Sequence, residues 1–294
     1  MHTTLISATE LMSLQAAGSP LMVFDCTFDL MNPAAGEEQY RNAHIPGAVY
    51  ASLDTALSDV GVAGPDGKRL HPDAASGGRH PLPSRENFAL WLSSVGFAND
   101  MQAVVYDRNG ANYCGRLWWM LKWAGHDAVA LLDGGLQAWQ AAGGEVTDRA
   151  EVAHFQSNFR LGAPLRELVG ADELMKDIRQ PTRTVIDARA APRYRGEVEP
   201  LDPVAGHIPG ALNRPFSQNL GADGKFKPAA QLKAEFDQLL AGRDARTVVH
   251  QCGSGVSALP NAVAMEIAGF APTALYAGSW SDWCSDASRP VAKG

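Results

Sequence analysis

The pentapeptide His44-Ile45-Pro46-Gly47-Ala48 returns as His207-Ile208-Pro209-Gly210-Ala211, 163 positions later. The same spacing separates Ala8-Thr9-Glu10-Leu11-Met12 from Ala171-Asp172-Glu173-Leu174-Met175. Each is followed by a short apolar run ending in aspartate, Val23-Phe24-Asp25 and Val185-Ile186-Asp187. Further along, the landmarks keep their order at a spacing of 144: Gly125 with Gly269, Asp133-Gly134-Gly135 with Ala277-Gly278-Ser279, and Trp139 with Trp283. A period as long as a domain means two copies of one domain, not a solenoid. The change of spacing puts 19 extra residues into the first copy. They fall in the Gly- and Pro-rich stretch around Gly61 to Pro83, which reads as a long surface loop. The expected division is a first domain over 1–144, a linker over 145–166 and a second domain over 167–294.

Within each copy, helical and strand patterns alternate. Ser7-Ala8-Thr9-Glu10 has the form of a capping box. Leu21 to Phe24, Ala103 to Tyr106 and Ala128 to Leu132 are short apolar runs of the kind buried on both faces of a parallel sheet. Pro83-Ser84 opens a helix carrying Phe88, Leu92 and Val95. Gly115 to Ala124 is apolar around most of its circumference, as a deeply buried helix is. The fold class is therefore α/β, with a mostly parallel sheet flanked by helices in each domain. Apolar residues make up 46% of the 294, enough for two cores.

The net charge of −7 argues against a nucleic-acid binder, which carries a basic face. No apolar run approaches the roughly 18 residues of a membrane span, and Met1-His2-Thr3-Thr4-Leu5 has no basic start of a secretion signal. A cytoplasmic location is expected. The four cysteines, at 26, 114, 252 and 284, form no C-x-x-C pair and make no disulfide framework.

One loop differs between the copies. Aligned at 144, the strand Thr247-Val248-Val249-His250 matches Ala103 to Tyr106, and Cys252 matches Arg108. Cys252-Gly253-Ser254-Gly255-Val256-Ser257 thus follows the end of a buried strand, where α/β sheets hold their ligands. The flanking glycines let the backbone curl, so that the amides of 253–257 turn inward as an anion-binding nest with a helix N-terminus behind it. Such a field favours a thiolate. Buried structural thiols are the common case, and that reading is given to Cys26, Cys114 and Cys284, the last of which lies near the C-terminal end with a surface place left open. A phosphatase loop, C-x5-R, fails because position 258 is Ala. The caspase and papain patterns around a cysteine do not fit Gln251-Cys252-Gly253-Ser254-Gly255. Sulfur transfer, which needs a thiolate and a dipole cradle for a persulfide, meets no such objection.

With these residues in view, the sequence resembles the two-domain rhodaneses, and among them the 3-mercaptopyruvate sulfurtransferases. The likeness rests on the paired His-Ile-Pro-Gly-Ala boxes, Gly78-Arg79-His80-Pro81-Leu82-Pro83, Arg116-Leu117-Trp118-Trp119-Met120, Asp187-Ala188-Arg189, Arg193-Tyr194-Arg195-Gly196 and the Cys252 loop. It implies two tandem rhodanese-like domains, the first lacking the loop cysteine. It implies Cys252 as nucleophile, Gly253, Gly255, Val256 and Ser257 as substrate-binding loop residues, and Arg193 on the donor carboxylate. The family's second substrate Arg is missing from Glu197-Val198-Glu199-Pro200-Leu201-Asp202, and Arg195 is one candidate to replace it. Ser254 and His44 match two members of a Ser-His-Asp relay. His44 would bring a residue of the first copy to the site, while His207 at the equivalent place argues for a turn role instead. Asp29, Glu37 and Glu38 do not align as the acid. The resemblance implies a small-molecule sulfur donor, a thiol, cyanide or thioredoxin acceptor, and neither cofactor nor metal. The alternatives are a thiosulfate:cyanide sulfurtransferase and a non-catalytic sulfur-carrier or regulatory module.

Overall fold

A computed structural model describes residues 1–64, 69–179 and 181–294. The chain divides into two compact units. The first comprises 1–75, 83–165 and 222–225; the second comprises 76–82, 166–221 and 226–294.

The first unit opens with β1 (Leu5–Ile6), α1 (Ala8–Ala16) and β2 (Leu21–Asp25). The capping box is formed: the Ser7 hydroxyl accepts from the Glu10 amide, and the Glu10 carboxylate accepts from the Ser7 amide. Then come α2 (Ala34–Asn42), β3 (Val49–Tyr50), the antiparallel pair β4 (Val62–Ala63) and β5 (Arg69–Leu70), and α3 (Arg85–Ser94), capped by Ser84. The unit closes with β6 (Gln102–Tyr106), α4 (Cys114–Trp123), β7 (Val129–Leu132) and α5 (Gly135–Ala141). Its sheet has the order β1-β7-β6-β2-β3, all parallel. Every residue of β6 and of α4 is buried, the polar Gln102, Arg116 and Lys122 among them, which is why both are mostly apolar in sequence.

The second unit repeats the plan. It contains α6 (Ala171–Arg179), β8 (Thr184–Asp187), α7 (Ala191–Tyr194), β9 (Leu212–Asn213), α8 (Ala229–Leu240), β10 (Val248–Gln251), α9 (Leu259–Ile267), β11 (Ala274–Leu275) and α10 (Ser279–Trp283). Its parallel sheet runs β11-β10-β8-β9.

Two sequence expectations change. The stretch 145–165 packs on the first unit: Thr147 pairs with His44, the Ser157 hydroxyl donates to the Phe97 carbonyl, and the Phe159 ring lies 5.8 Å from that of Phe97. Apolar residues such as Phe159 give an irregular segment somewhere to bury. The Gly61–Pro83 insertion is more than a surface loop. It holds the β4–β5 pair, with residues 65–68 outside the described residues, and its last part, 76–82, belongs to the second unit.

His250 lies inside β10, fully buried, with no partner on either ring nitrogen. Burial alone holds its pKa down at about 3 against an ordinary 6.5. Below pH 6.5 the unfolded chain therefore binds a proton that the folded chain excludes. This contribution to stability is complete above about 6.5 and falls as the pH drops toward 3. Urea unfolding from pH 7 to 4 should show His250→Leu flattening the acid slope by up to about 1.4 kcal/mol per pH unit. An unchanged slope would contradict it.

Candidate active site

Strand pairing fixes which residue of the first unit stands where Cys252 does. Asp25 sits opposite Tyr106, and its counterpart Asp187 sits opposite Gln251. Cys252 therefore corresponds to Asp107, not to Arg108 as the 144 spacing suggests. Three further observations agree. Both α4 and α9 begin seven residues after the position in question. Gly110 and Gly255 share a left-handed backbone, φ 69° and 73°. The Leu136 amide donates to the Asp107 carbonyl as the Trp280 amide does to that of Cys252, at 3.3 and 3.0 Å. The slip arises because α4 has ten residues and α9 nine, so an alignment anchored on Gly125 and Gly269 is one residue out at the loop.

The correction explains what the loop is built to hold. In the first unit the buried Asp107 carboxylate accepts four backbone N–H groups of its own loop. Asn109 and Ala111 donate to one oxygen at 2.8 and 3.0 Å, Tyr113 and Cys114 to the other at 2.8 and 2.9 Å. The nest is filled by an internal anion. In the second unit the equivalent side chain is the Cys252 thiol, 2% exposed. The amides of Ser254, Val256 and Ala258, matching Asn109, Ala111 and Tyr113, have no acceptor among the described residues. The loop is fixed from behind: the Cys252 amide donates to the Ser279 hydroxyl at 3.1 Å, and the Ser281 amide donates to the Gly253 carbonyl at 2.9 Å. At Gly255 a Cβ would lie 2.2 Å from the Ala277 carbonyl oxygen, so only glycine fits.

The segment 76–82 supplies two residues to the same unit. Gly78, at φ 88°, packs so closely on Gly278 that a Cβ would come within 2.4 Å of its carbonyl oxygen. The next amide, of Arg79, donates to the Ser281 hydroxyl at 3.0 Å. This docking sets the buried His80 Nδ1 2.7 Å from the Ser254 hydroxyl. It also puts the Arg79 Nη1 2.6 Å from Asp202, whose side chain is 4% exposed. Arg193 grips the Glu199 carboxylate through Nε and Nη2, at 3.2 and 2.6 Å, and reaches Asp202 at 3.3 Å. Burial works to raise the Glu199 pKa, but the Arg193 hydrogen bonds and the Leu201 and Asp202 amides outweigh it and hold the carboxyl below its usual range.

His44 is placed differently from the sequence expectation. Its Nδ1 lies 2.7 Å from the Tyr40 carbonyl, its Nε2 3.1 Å from Glu151, and its ring stacks on Tyr40 at 4.1 Å. His207 does the same on Tyr194, at 2.8 and 3.8 Å. In each copy the tyrosine hydroxyl donates back to the alanine of the box, Ala48 or Ala211, at 2.7 and 2.5 Å. The repeated histidine is thus a turn clamp, and the imidazole on Ser254 is His80. The motif containing His80 was visible in sequence, but nothing local linked it to Ser254. Arg195 is half exposed and paired with Glu197, so it does not supply a second arginine beside the loop. Cys284 is buried in the core with Trp280 and Trp283, so of the two places left open for it the structure takes the buried one. Burial pushes the Cys26 and Cys114 thiols well above their ordinary range, with Asp107 adding to both, and burial also raises Cys284.

The comparisons with known proteins fit this picture. The rhodanese-like domain matches the chain twice, over residues 7–142 and 170–286.

The chain belongs to the rhodanese family.

Among its relatives, a probable 3-mercaptopyruvate sulfurtransferase of Pseudomonas aeruginosa is 43% identical over all of both chains. A putative thiosulfate sulfurtransferase, SseB, of Mycobacterium tuberculosis is 38% identical over 99% of this chain and 97% of its own. The crystal structure of the 3-mercaptopyruvate sulfotransferase SseA from Escherichia coli superposes with a TM-score of 0.77, at 29% identity, over 95% of this chain and all of its own. Full-length relatives of this rhodanese thus carry both donor names.

The filled nest of the first rhodanese-like unit makes a stability prediction. Asp107→Ala leaves four loop amides without their acceptor. It should lower the free energy of unfolding by about 3 kcal/mol in urea titrations. The rate of Cys252 alkylation by iodoacetamide should stay within twofold of wild type. A stability loss under about 0.5 kcal/mol would show that the carboxylate is not what orders the loop.

Proposed function

We propose that this rhodanese-family sulfurtransferase takes sulfur from 3-mercaptopyruvate on Cys252. The observation that carries this reading is the Ser254–His80 pair, 2.7 Å apart, in the loop of the nucleophile. Thiosulfate gives up its outer sulfur without moving a proton. A mercaptan does not: its thiol proton must leave sulfur and end on carbon. A hydroxyl and an imidazole at this place supply the proton route that the second chemistry needs. The uncharged loop residues Gly253, Ser254, Gly255, Val256 and Ser257 support the same donor, whose reacting sulfur is a neutral thiol.

The step balances as follows. The Cys252 thiolate attacks the donor sulfur, an S–S bond forms, and the C–S bond breaks with its electron pair passing to carbon. The resulting enolate takes up the proton that the thiol gave through Ser254 and His80, and pyruvate leaves. Cys252 keeps the sulfur as a persulfide. The amides of Ser254, Val256 and Ala258, which have no acceptor among the described residues, hold its outer sulfur, as their counterparts hold the Asp107 carboxylate. A second thiolate, cyanide or a reduced thioredoxin then removes that sulfur and frees Cys252 for the next round, in ping-pong order. His80 takes the relay place first given to His44. Arg193 contributes to holding the donor carboxylate. No helix among the described residues is long and apolar enough to cross a membrane, and we assign the protein to the cytoplasm.

Intact mass after donor treatment should show one added sulfur on wild type and on Cys26→Ser, Cys114→Ser and Cys284→Ser, but none on Cys252→Ser. Retention of the added sulfur by Cys252→Ser would overturn the assignment. Wild-type kcat/KM should be larger for 3-mercaptopyruvate than for thiosulfate; the reverse order would favour the thiosulfate:cyanide reading. A persulfide that no small thiol discharges would favour the carrier reading. His80→Gln should lower kcat for 3-mercaptopyruvate about 100-fold relative to its effect with thiosulfate, the size of a lost acid–base catalyst. Equal losses with the two donors would remove His80 from proton transfer.

A further inference from the structure

The two arginines beside the Cys252 loop are not equivalent. A Cβ on Gly253 would lie 3.3 Å from Arg79 Nη2, 3.6 Å from Arg193 Nη1 and 3.7 Å from Arg193 Nη2. Both guanidinium groups therefore border the loop at its second position, and the missing side chain there lets them do so. A carboxylate binds a guanidinium best along an edge that offers two parallel N–H bonds, such as the Nε–Nη2 edge. In Arg193 that edge is already occupied, by both oxygens of Glu199. Only Nη1 of Arg193 has no partner among the described residues.

Arg79 is arranged the other way. Its Nη1 is tied to Asp202 at 2.6 Å, which orients the group. Its Nε is shut off from solvent without an acceptor, and its Nη2, the atom nearest Gly253, has none among the described residues. Neither N–H of this edge is spent on the protein, and Nη2 is the one that faces the loop. Arg79 keeps 27% side-chain exposure against 4% for Asp202 beneath it, so the carboxylate acts as the anchor and the guanidinium as the presented group. Asp202 also reaches Arg193 at 3.3 Å, and so sets the separation of the two cations.

We infer that Arg79 is the principal fork for the carboxylate of an oxo-acid sulfur donor, with Arg193 Nη1 adding a single N–H and Asp202 positioning both. Arg79 thereby fills the gap left by the arginine missing from residues 197–202. This rests on the oxo-acid donor reading given above. It makes donor selectivity a property of the segment 76–82 as much as of the cysteine loop. A small neutral residue at 253 is part of the device, because a longer side chain would push Arg79 Nη2 away.

The test compares 3-mercaptopyruvate with 1-mercaptopropan-2-one, which has a methyl group in place of the carboxylate. Selectivity is the ratio of kcat/KM for the two donors, so a general loss of activity cancels. Arg79→Gln should lower this ratio tenfold to about a hundredfold, the range of a lost charge-assisted contact, and by more than Arg193→Gln does. Arg79→Lys keeps the charge without the edge and should recover only part of the loss. The Lys variant also guards against misfolding of the Gln variant, and an unchanged thermal unfolding midpoint reports a formed domain in each. A wild-type ratio in Arg79→Gln or full selectivity in Arg79→Lys would overturn the fork, and so would a larger effect at Arg193. A wild-type enzyme that loads from thiosulfate yet shows no preference for the carboxylate-bearing donor would instead overturn the oxo-acid reading, and this one with it.

Discussion

The structure turns on a loop whose backbone N–H groups face inward at the carboxyl end of a central parallel strand. Buried amides need an acceptor. The first unit meets that need permanently with the Asp107 carboxylate, which takes four of them. The second unit puts Cys252 at the same place and leaves the amides of Ser254, Val256 and Ala258 open. A single difference in side chain at one structural position separates a loop filled by its own carboxylate from one whose amides keep no acceptor among the described residues.

An open cradle of this kind must keep its own surroundings from filling it. Two cations border the loop at Gly253, and each is tied to a buried carboxylate: Arg193 to Glu199 and Arg79 to Asp202. Arg189 is held in the same way by Asp187. Arg189 is also stacked 4.7 Å from the Trp280 ring and donates to the Gly206 carbonyl at 2.7 Å. These pairs hold the guanidinium groups in place with little net charge, while the loop itself carries none.

Much of the fold was legible from local pattern. The Ser7–Glu10 capping box, the Ser84 cap and the fully buried β6 and α4 follow from residue types within a few positions of one another. Cys252 was legible too, because Gly-Ser-Gly after a buried strand has a conformational rather than a packing rationale. The repeated histidine misled, since the same box serves in both copies as a clamp on tyrosine, at Tyr40 and Tyr194. The loop alignment misled by one residue because helix lengths differ, and a one-residue slip exchanged Asp107 for Arg108.

The sequence by itself determined the duplication, the α/β class and the tight glycine-bearing turn at Cys252, since periodicity, capping and turn chemistry are written in near neighbours. Only the tertiary structure decided the company of that thiol. His80 and Ser254 are 174 positions apart, and Arg79 and Asp202 are 123 apart. No local rule links residues at such separations. They meet because Gly78 allows the 76–82 segment to pack against the backbone at Gly278, a fit of shape that exists only once the second unit has folded.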